Sequence, residues 1–142
     1  MKIFKPSPEK ITVLDTEVLF LSDKPEYPEV EKEFESNLNF VTIASAYSKD
    51  ILIEDYQFTG STVIIDYLMH RLIKFDLPSM SLKELIWNIS KIYVEIFKSY
   101  KKEAKVCCSG YEFLYLKKIR VHKNNTITLE IRHKNDGRKD IS

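Results

Sequence analysis

The chain has 142 residues, of which 44% are hydrophobic and 12% aromatic, and it carries a formal net charge of +1. This length fits a single domain, residues 1–142, and the apolar content argues against a disordered chain. Three glycines disfavour a fold that holds phosphates in glycine-rich loops. A net charge near zero gives no strong overall attraction to nucleic acid or to membranes.

The N-terminal residues show no apolar core of the kind that a secretory signal contains. The two cysteines, Cys107 and Cys108, are adjacent, which is poor geometry for a disulfide, and no zinc-type spacing accompanies them. We therefore expect a cytoplasmic protein with reduced thiols, no cofactor, no bound metal ion and no membrane association.

The first third of the chain predicts a strand followed by a short helix. Residues 11–21 are rich in β-branched and aromatic side chains, which favours a strand, with residues 15–16 as a point where it could break. A loop then leads to Pro28, which suits the first turn of a helix. The predicted surface helix rests on one apolar stripe at spacings of three and four. Its members are Tyr27, Val30, Phe34 and Leu38.

The middle of the chain predicts a hairpin and then an ambiguous segment. Residues 40–47 and 51–58 flank a short polar turn, so an antiparallel hairpin is expected. Residues 61–75 fit a helix better than a strand, because Asp66, His70 and Lys74 then share one polar face. The β-branched run at 62–65 keeps the strand alternative open. Asp66 and His70 would be one helical turn apart, a weak hint of a general base, although a solvated polar face explains them better.

The main helix is predicted over residues 81–105. Ser81 and Glu84 have the spacing of a capping box, in which each side chain accepts from the backbone N–H of the other residue. A wide apolar face follows, and the pattern leaves the end of the helix open between residues 103 and 109.

A second hairpin is predicted over residues 111–133. A three-residue loop, 123–125, pairs Val121 with Ile127 and keeps the apolar side chains on one face, whereas a two-residue loop would not. Asn125 can supply the left-handed residue that such a loop needs. The same register places His122 and His133 on opposite faces of the hairpin. The resulting fold class is α+β, with an antiparallel sheet of about four to six strands that helices cover on one face, and with a frayed tail at 135–142.

The near-zero net charge conceals a division along the chain. Residues 1–71 sum to −6 and residues 72–142 sum to +7. The acidic half is densest at Glu26, Glu29, Glu31, Glu33 and Glu35. The basic half includes Lys117, Lys118, Arg120, Lys123 and Arg132, in and beside the second hairpin.

The leading hypothesis is a non-enzymatic protein-binding module that holds a basic partner protein, such as a toxin or nuclease, through the acidic residues. In size and acidic bias, the chain is similar to small immunity and inhibitor proteins, an analogy that no motif supports. The alternative is a nucleic-acid-binding protein that contacts phosphates through the five basic residues. Both hypotheses require two separate charged patches, and a solvated or mutually neutralising surface would favour neither. The sequence leaves the oligomeric state open.

Overall fold

The computed structural model describes residues 10–39, 54–68, 71–99 and 114–133. Within these ranges the chain is mixed α+β, with one α-helix, a large and mostly antiparallel sheet of seven strands, and a small sheet of two. The elements in chain order are β1 (Lys10–Val13), β2 (Thr16–Leu21), β3 (Val30–Asn39), β4 (Gln57–Phe58), β5 (Ser61–Leu68), β6 (Arg71–Leu77), β7 (Met80–Ser81), α1 (Leu82–Ser99), β8 (Leu114–His122) and β9 (Thr126–His133).

The large sheet has the strand order β1-β2-β6-β5-β9-β8-β3, and β4 pairs with β7 in the small one. Every neighbouring pair in the large sheet is antiparallel except β5 and β9, which run parallel. The predicted α+β class and the predominance of antiparallel pairing are confirmed. The predicted count of four to six strands was too low, because two segments that were expected to be helical are strands.

The first of these segments is β3, where a short helix was predicted. The spacing of four that joins Val30, Phe34 and Leu38 also fits a strand, since every second residue of a strand shares a face. The intervening glutamates supply the decisive alternation, with Phe34 buried between exposed Glu33 and Glu35. A period of two therefore explains both the apolar and the acidic residues, while the helix explained only the apolar ones.

The second segment is residues 61–75, which forms most of the β5–β6 hairpin rather than the favoured helix. The β-branched run gives β5 three successive buried residues, Val63, Ile64 and Ile65. A strand covered on both sides tolerates such a run, whereas β-branched side chains lose rotamer freedom in a helix.

The N-terminal strand breaks close to the predicted point and forms the hairpin β1–β2. Leu14 and Asp15 make the turn with φ values of 48° and 64°. The predicted hairpin at 40–58 falls largely outside the described residues, which include only its end, where β4 is a strand. The two cysteines, residues 100–105 of the predicted helix, residues 111–113 of the second hairpin and the tail 135–142 also lie outside them.

The capping box at the start of α1 is confirmed. The Ser81 Oγ accepts from the Glu84 N–H at 3.2 Å, and the Glu84 carboxylate accepts from the Ser81 N–H at 3.3 Å. Ten of the eighteen helix residues are buried. Nine of them, all except Ser90, belong to one hydrophobic cluster with apolar residues of β1, β2, β3, β5, β6, β8 and β9.

Loss of this cap gives a first prediction. The Ser81→Ala variant should lose about 1 kcal/mol of unfolding free energy, because one N-terminal N–H of the helix loses its acceptor. Ser79→Ala, an exposed serine two residues upstream, is the matched control and should change stability by less than about 0.5 kcal/mol. Urea unfolding of both variants measures the difference, and equal losses would contradict the role of the cap.

The second hairpin has the predicted register. Val121 pairs with Ile127 and Ile119 with Leu129, across a three-residue loop at 123–125. Asn125 is left-handed as expected, with φ 61°, and Asn124 is left-handed as well, with φ 66°. The Asn124 side-chain oxygen accepts from the N–H and the hydroxyl of Thr126, which fixes the loop.

Candidate functional site

The acidic and basic segments of the sequence are neighbouring strands. β3 pairs antiparallel with β8, and the register sets Glu33 opposite Arg120 and Glu35 opposite Lys118. Side chains directly opposite each other on one face of a sheet are close enough to form ion pairs. The expected segregation into two separate patches is therefore wrong for this part of the surface. The sequence shows where the charges lie along the chain, and strand pairing then sets opposite charges side by side.

The centre of this charged face is a half-buried network around Arg120. Its guanidinium donates to Glu33 at 3.0 Å and to Glu130 of β9 at 2.7 Å. Arg132 donates to the other oxygen of Glu130 at 3.0 Å. Each carboxylate thus accepts from Arg120 and from one further cation, since Lys118 also lies 3.3 Å from Glu33.

This geometry shifts the ionisation of all three central groups in the direction that preserves their charges. The hydrogen bond from Arg120, followed by that from Lys118, holds the pKa of Glu33 below its ordinary value of 4.5. The hydrogen bond from Arg120 likewise lowers the pKa of Glu130, despite an opposing effect of burial. The Glu130 carboxylate in turn raises the pKa of Arg120. All three groups are therefore charged at neutral pH, as their ion pairs require.

The outer ion pairs of the same face are far more exposed. Lys123 and Glu29 lie 2.8 Å apart, but their side chains are 61% and 78% exposed. Lys118 approaches Glu35 only to 3.9 Å, and the Glu35 side chain is 73% exposed. Ion pairs of this kind contribute about 0–1 kcal/mol each, because water screens them and two long side chains must be ordered. Glu29 and Glu35 can therefore exchange their present partners for others at little cost.

The predicted site residues now fall into distinct groups. Glu33 belongs to the central network, Glu29 and Glu35 form the exposed pairs, and Glu26 and Glu31 are exposed with no ion pair to another described residue. All five predicted phosphate-binding residues have interactions of their own. Four of them pair with carboxylates, namely Lys118, Arg120, Lys123 and Arg132. Lys117 also has an interacting partner.

The start of β3 carries a feature that the sequence did not reveal. Val30 is 47% exposed, and only it and Leu14 are exposed large hydrophobic residues in the described part of the chain. The register with β8 shifts between Val30 and Lys32, so that Glu31 is an extra residue of a bulge. Bulges re-aim side chains, and Glu29, Val30 and Glu31 are all exposed at this point. We call these three residues the Val30 patch.

The segment before β3, residues 24–29, is fastened to the hairpin β8–β9, and we call it the strap. Pro28 O lies 2.6 Å from Nδ1 of the buried His122, and the Tyr27 ring lies 5.3 Å from the imidazole. Because a carbonyl only accepts, Nδ1 carries a proton and donates to it, while Nε2 and the Thr128 hydroxyl form a second hydrogen bond at 2.8 Å. The Lys123 N–H donates to Glu29 O at 2.9 Å. These contacts position the Val30 patch.

His122 faces the side of the hairpin that carries Thr128 and Glu130, as the register predicted. The side chain of His133 lies outside the described part of the chain. The Asp66–His70 hypothesis loses its geometric basis, because Asp66 lies on β5, Lys74 lies on β6, and no helix joins them. His70 is outside the described residues.

Within the described ranges, no three His, Cys, Asp or Glu side chains are placed to hold a metal ion. The helix found in these ranges is not long and apolar enough to cross a membrane. Comparison of the chain with protein-family models, with curated proteins and with solved structures found no match.

Proposed function

We propose that this chain is a non-enzymatic protein-binding module of the cytoplasm, of the immunity or inhibitor type, and that its partner is a basic protein such as a nuclease toxin. The observation that carries the proposal is the Val30 patch, where an exposed apolar side chain lies between two exposed carboxylates. Protein interfaces combine an apolar centre with a polar rim. An isolated charged ridge would lack that centre.

The charges around Val30 suit a cationic partner. Glu31 has no ion pair among the described residues, and Glu29 has only the exposed pair with Lys123. A partner's arginine can replace Lys123 on Glu29, since the present pair contributes about 1 kcal/mol or less. Complementary charges also steer the encounter and suppress wrong partners. The central network around Arg120 would then hold the face rigid without itself binding the partner.

The nucleic-acid alternative is less well supported by this arrangement. Each of the four paired cations would have to leave a carboxylate before it contacted a phosphate, and Glu33 and Glu130 would remain on the same face and repel the backbone. Arg120 is the most strongly held, because two carboxylates accept from it. The gain from releasing counterions falls when protein carboxylates already neutralise the cations.

The proposal also includes an arrangement of layers. We expect α1 to cover the face of the large sheet opposite the charged one. The shared hydrophobic cluster of helix and sheet supports this, as does the alternation of buried Ile119 and Val121 with half-buried Lys118 and Arg120 along β8. The partner would then contact the outer face, away from the helix.

A matched pair of charge reversals tests the proposed function. Purified Glu29→Lys/Glu31→Lys protein is compared with Glu17→Lys, which reverses another well-exposed carboxylate, paired with Lys10 of the opposite edge strand β1. The partner is captured from the native cell by the wild-type chain, identified, purified and titrated against each variant. We expect the double variant to bind at least about tenfold more weakly, a change of 1.4 kcal/mol. Glu17→Lys should bind like the wild type.

Equal affinities of the two variants for the captured partner would reject the Val30 patch as the contact. A labelled oligonucleotide provides the opposing measurement, because phosphate contacts are strong at about 50 mM salt and weaken steeply as salt is added. Salt-sensitive binding that Lys118→Met and Lys123→Met weaken would favour the nucleic-acid alternative instead.

A further inference from the structure

A cleft of about 540 Å³ lies between the strap and side chains of β5 and β6. Glu26 and Tyr27 of the strap line it on one side, and Ile64 of β5 and Lys74 of β6 line it on the other. We call it the strap cleft. Its volume falls in the ordinary range of small-molecule sites, about 300–1,000 Å³. The protein-binding proposal makes no use of Lys74 or of this space.

The strap cleft is lined by one cation and one anion that do not pair with each other. Glu26 is exposed at the strap and Lys74 is half-buried in the sheet. Neither side chain forms an ion pair with any residue in the described ranges, although both border the same space. Two opposite charges that face one cleft without meeting leave room for a ligand that carries both complementary charges.

Three carboxylates lie near Lys74 on its other side, and none of them forms an ion pair with it. Lys74 also borders a smaller hollow of about 280 Å³ together with Asp15, Glu17 and Asp76. Glu17 pairs with Lys10 at 3.4 Å, and Asp76 accepts from the Thr62 hydroxyl at 2.7 Å. Asp15 lies in the β1–β2 turn and is exposed. Lys74 therefore has no fixed counter-ion within the described structure.

Two apolar groups also line the strap cleft. Ile64 lies on the same side of β5 as Thr62, two residues away, and at 6% exposed it contributes a small apolar area to the cleft. The Tyr27 ring adds an aromatic wall that the contact with His122 holds in place. A ligand that combines a small apolar group with two opposite charges would match this lining.

We propose that the strap cleft binds a small zwitterion of the amino-acid type, with its carboxylate at Lys74, its ammonium group at Glu26 and an apolar side chain against Tyr27 and Ile64. A phosphate dianion is disfavoured because Glu26 repels it, and a simple amine is disfavoured because Lys74 repels it. Free amino acids and short peptides share the required chemistry, so the experiment includes both.

Calorimetric titration of the full chain tests this assignment. The probes are L-leucine, L-phenylalanine and the dipeptide Phe-Phe, together with two analogues that carry one charge each, 3-phenylpropanoate and phenethylamine. At least one zwitterion should bind with a Kd below about 10 mM, and both singly charged analogues should bind about tenfold or more weakly. A tenfold change is the least expected from losing a charge-assisted hydrogen bond, at 1.4 kcal/mol per factor of ten.

Variants assign the binding to this cleft. Lys74→Met and Glu26→Gln should each weaken the zwitterion about tenfold, Lys74→Arg should retain it, and Lys83→Met, which removes a half-buried lysine outside the strap cleft, should leave it unchanged. Circular dichroism checks that each variant is folded. No binding of any zwitterion at 10 mM, undiminished binding in Lys74→Met, or equal binding of 3-phenylpropanoate would overturn the proposal. These readouts do not involve Glu29 or Glu31, so they are separate from the test of the protein-binding function.

Discussion

The Phe34→Ala variant should lose about 3–5 kcal/mol of unfolding free energy, as is usual when a buried phenylalanine is truncated. Phe34 is 2% exposed in the core cluster, and its ring meets Tyr56 edge-on at 5.1 Å. Val30→Ala is the matched control and should cost less than about 0.5 kcal/mol, because Val30 is exposed. The two residues are four apart, so a helix or an unbroken strand would place both on one face, and the bulge at Glu31 is what separates them.

Equilibrium unfolding in urea measures both changes. The Phe34→Ala protein must stay folded at low denaturant for the comparison, and Phe34→Leu, which retains most of the apolar volume, provides a milder variant with an intermediate loss. Comparable losses at Val30 and Phe34 would contradict the exposure of Val30 at the bulge that begins β3.

The spacing of the apolar residues explains why β3 was predicted wrongly. A spacing of four residues is shared by one face of a helix and one face of a strand, so Val30, Phe34 and Leu38 fit both. The alternating Glu31, Glu33 and Glu35 distinguish the two, because a helix would distribute them around its circumference. The acidic residues alone do not exclude a helix, because carboxylates near a helix N-terminus interact favourably with its dipole.

Features that depend on neighbouring residues were predictable. The capping box of Ser81 and Glu84 depends on a spacing of three, and the three-residue loop depends on the parity of the two apolar sets beside it. In both cases the interacting groups are adjacent in the chain, so the sequence alone determines the geometry.

The candidate site depends on contacts between distant parts of the chain, and the sequence does not specify these. Arg120 is 87 residues from Glu33, and the two meet only because β3 forms the edge of the sheet next to β8. The division of charge along the chain was counted correctly. It wrongly suggested two separate charged patches, because strand pairing sets the opposite charges side by side. Val30 had no local signal of exposure, since its apolar character and its spacing both suggested burial.

Replacement of Arg120 by methionine is the sharper test of the charged face. The variant should lose about 1–2 kcal/mol at pH 7, between the values for exposed and for buried ion pairs, because Glu33 and Glu130 then face each other without the cation between them. Methionine keeps much of the aliphatic stem, so packing changes little. Arg132→Met removes the more exposed partner of Glu130 and should cost less than about 0.5 kcal/mol.

The pH dependence separates the charge effect from packing. Arg120 holds the pKa of both Glu33 and Glu130 below their ordinary value of 4.5 in the folded chain. A lowered folded-state pKa means that the stabilisation is complete above the unfolded pKa and disappears as the pH falls through the folded one. The wild type should therefore lose stability from about pH 5 downward, while Arg120→Met, whose carboxylates lack this cation, should follow a flatter curve. The two proteins should converge in urea unfolding once acid has protonated both carboxylates, whereas a gap that persists undiminished in acid would show that Arg120 acts through packing rather than through its charge.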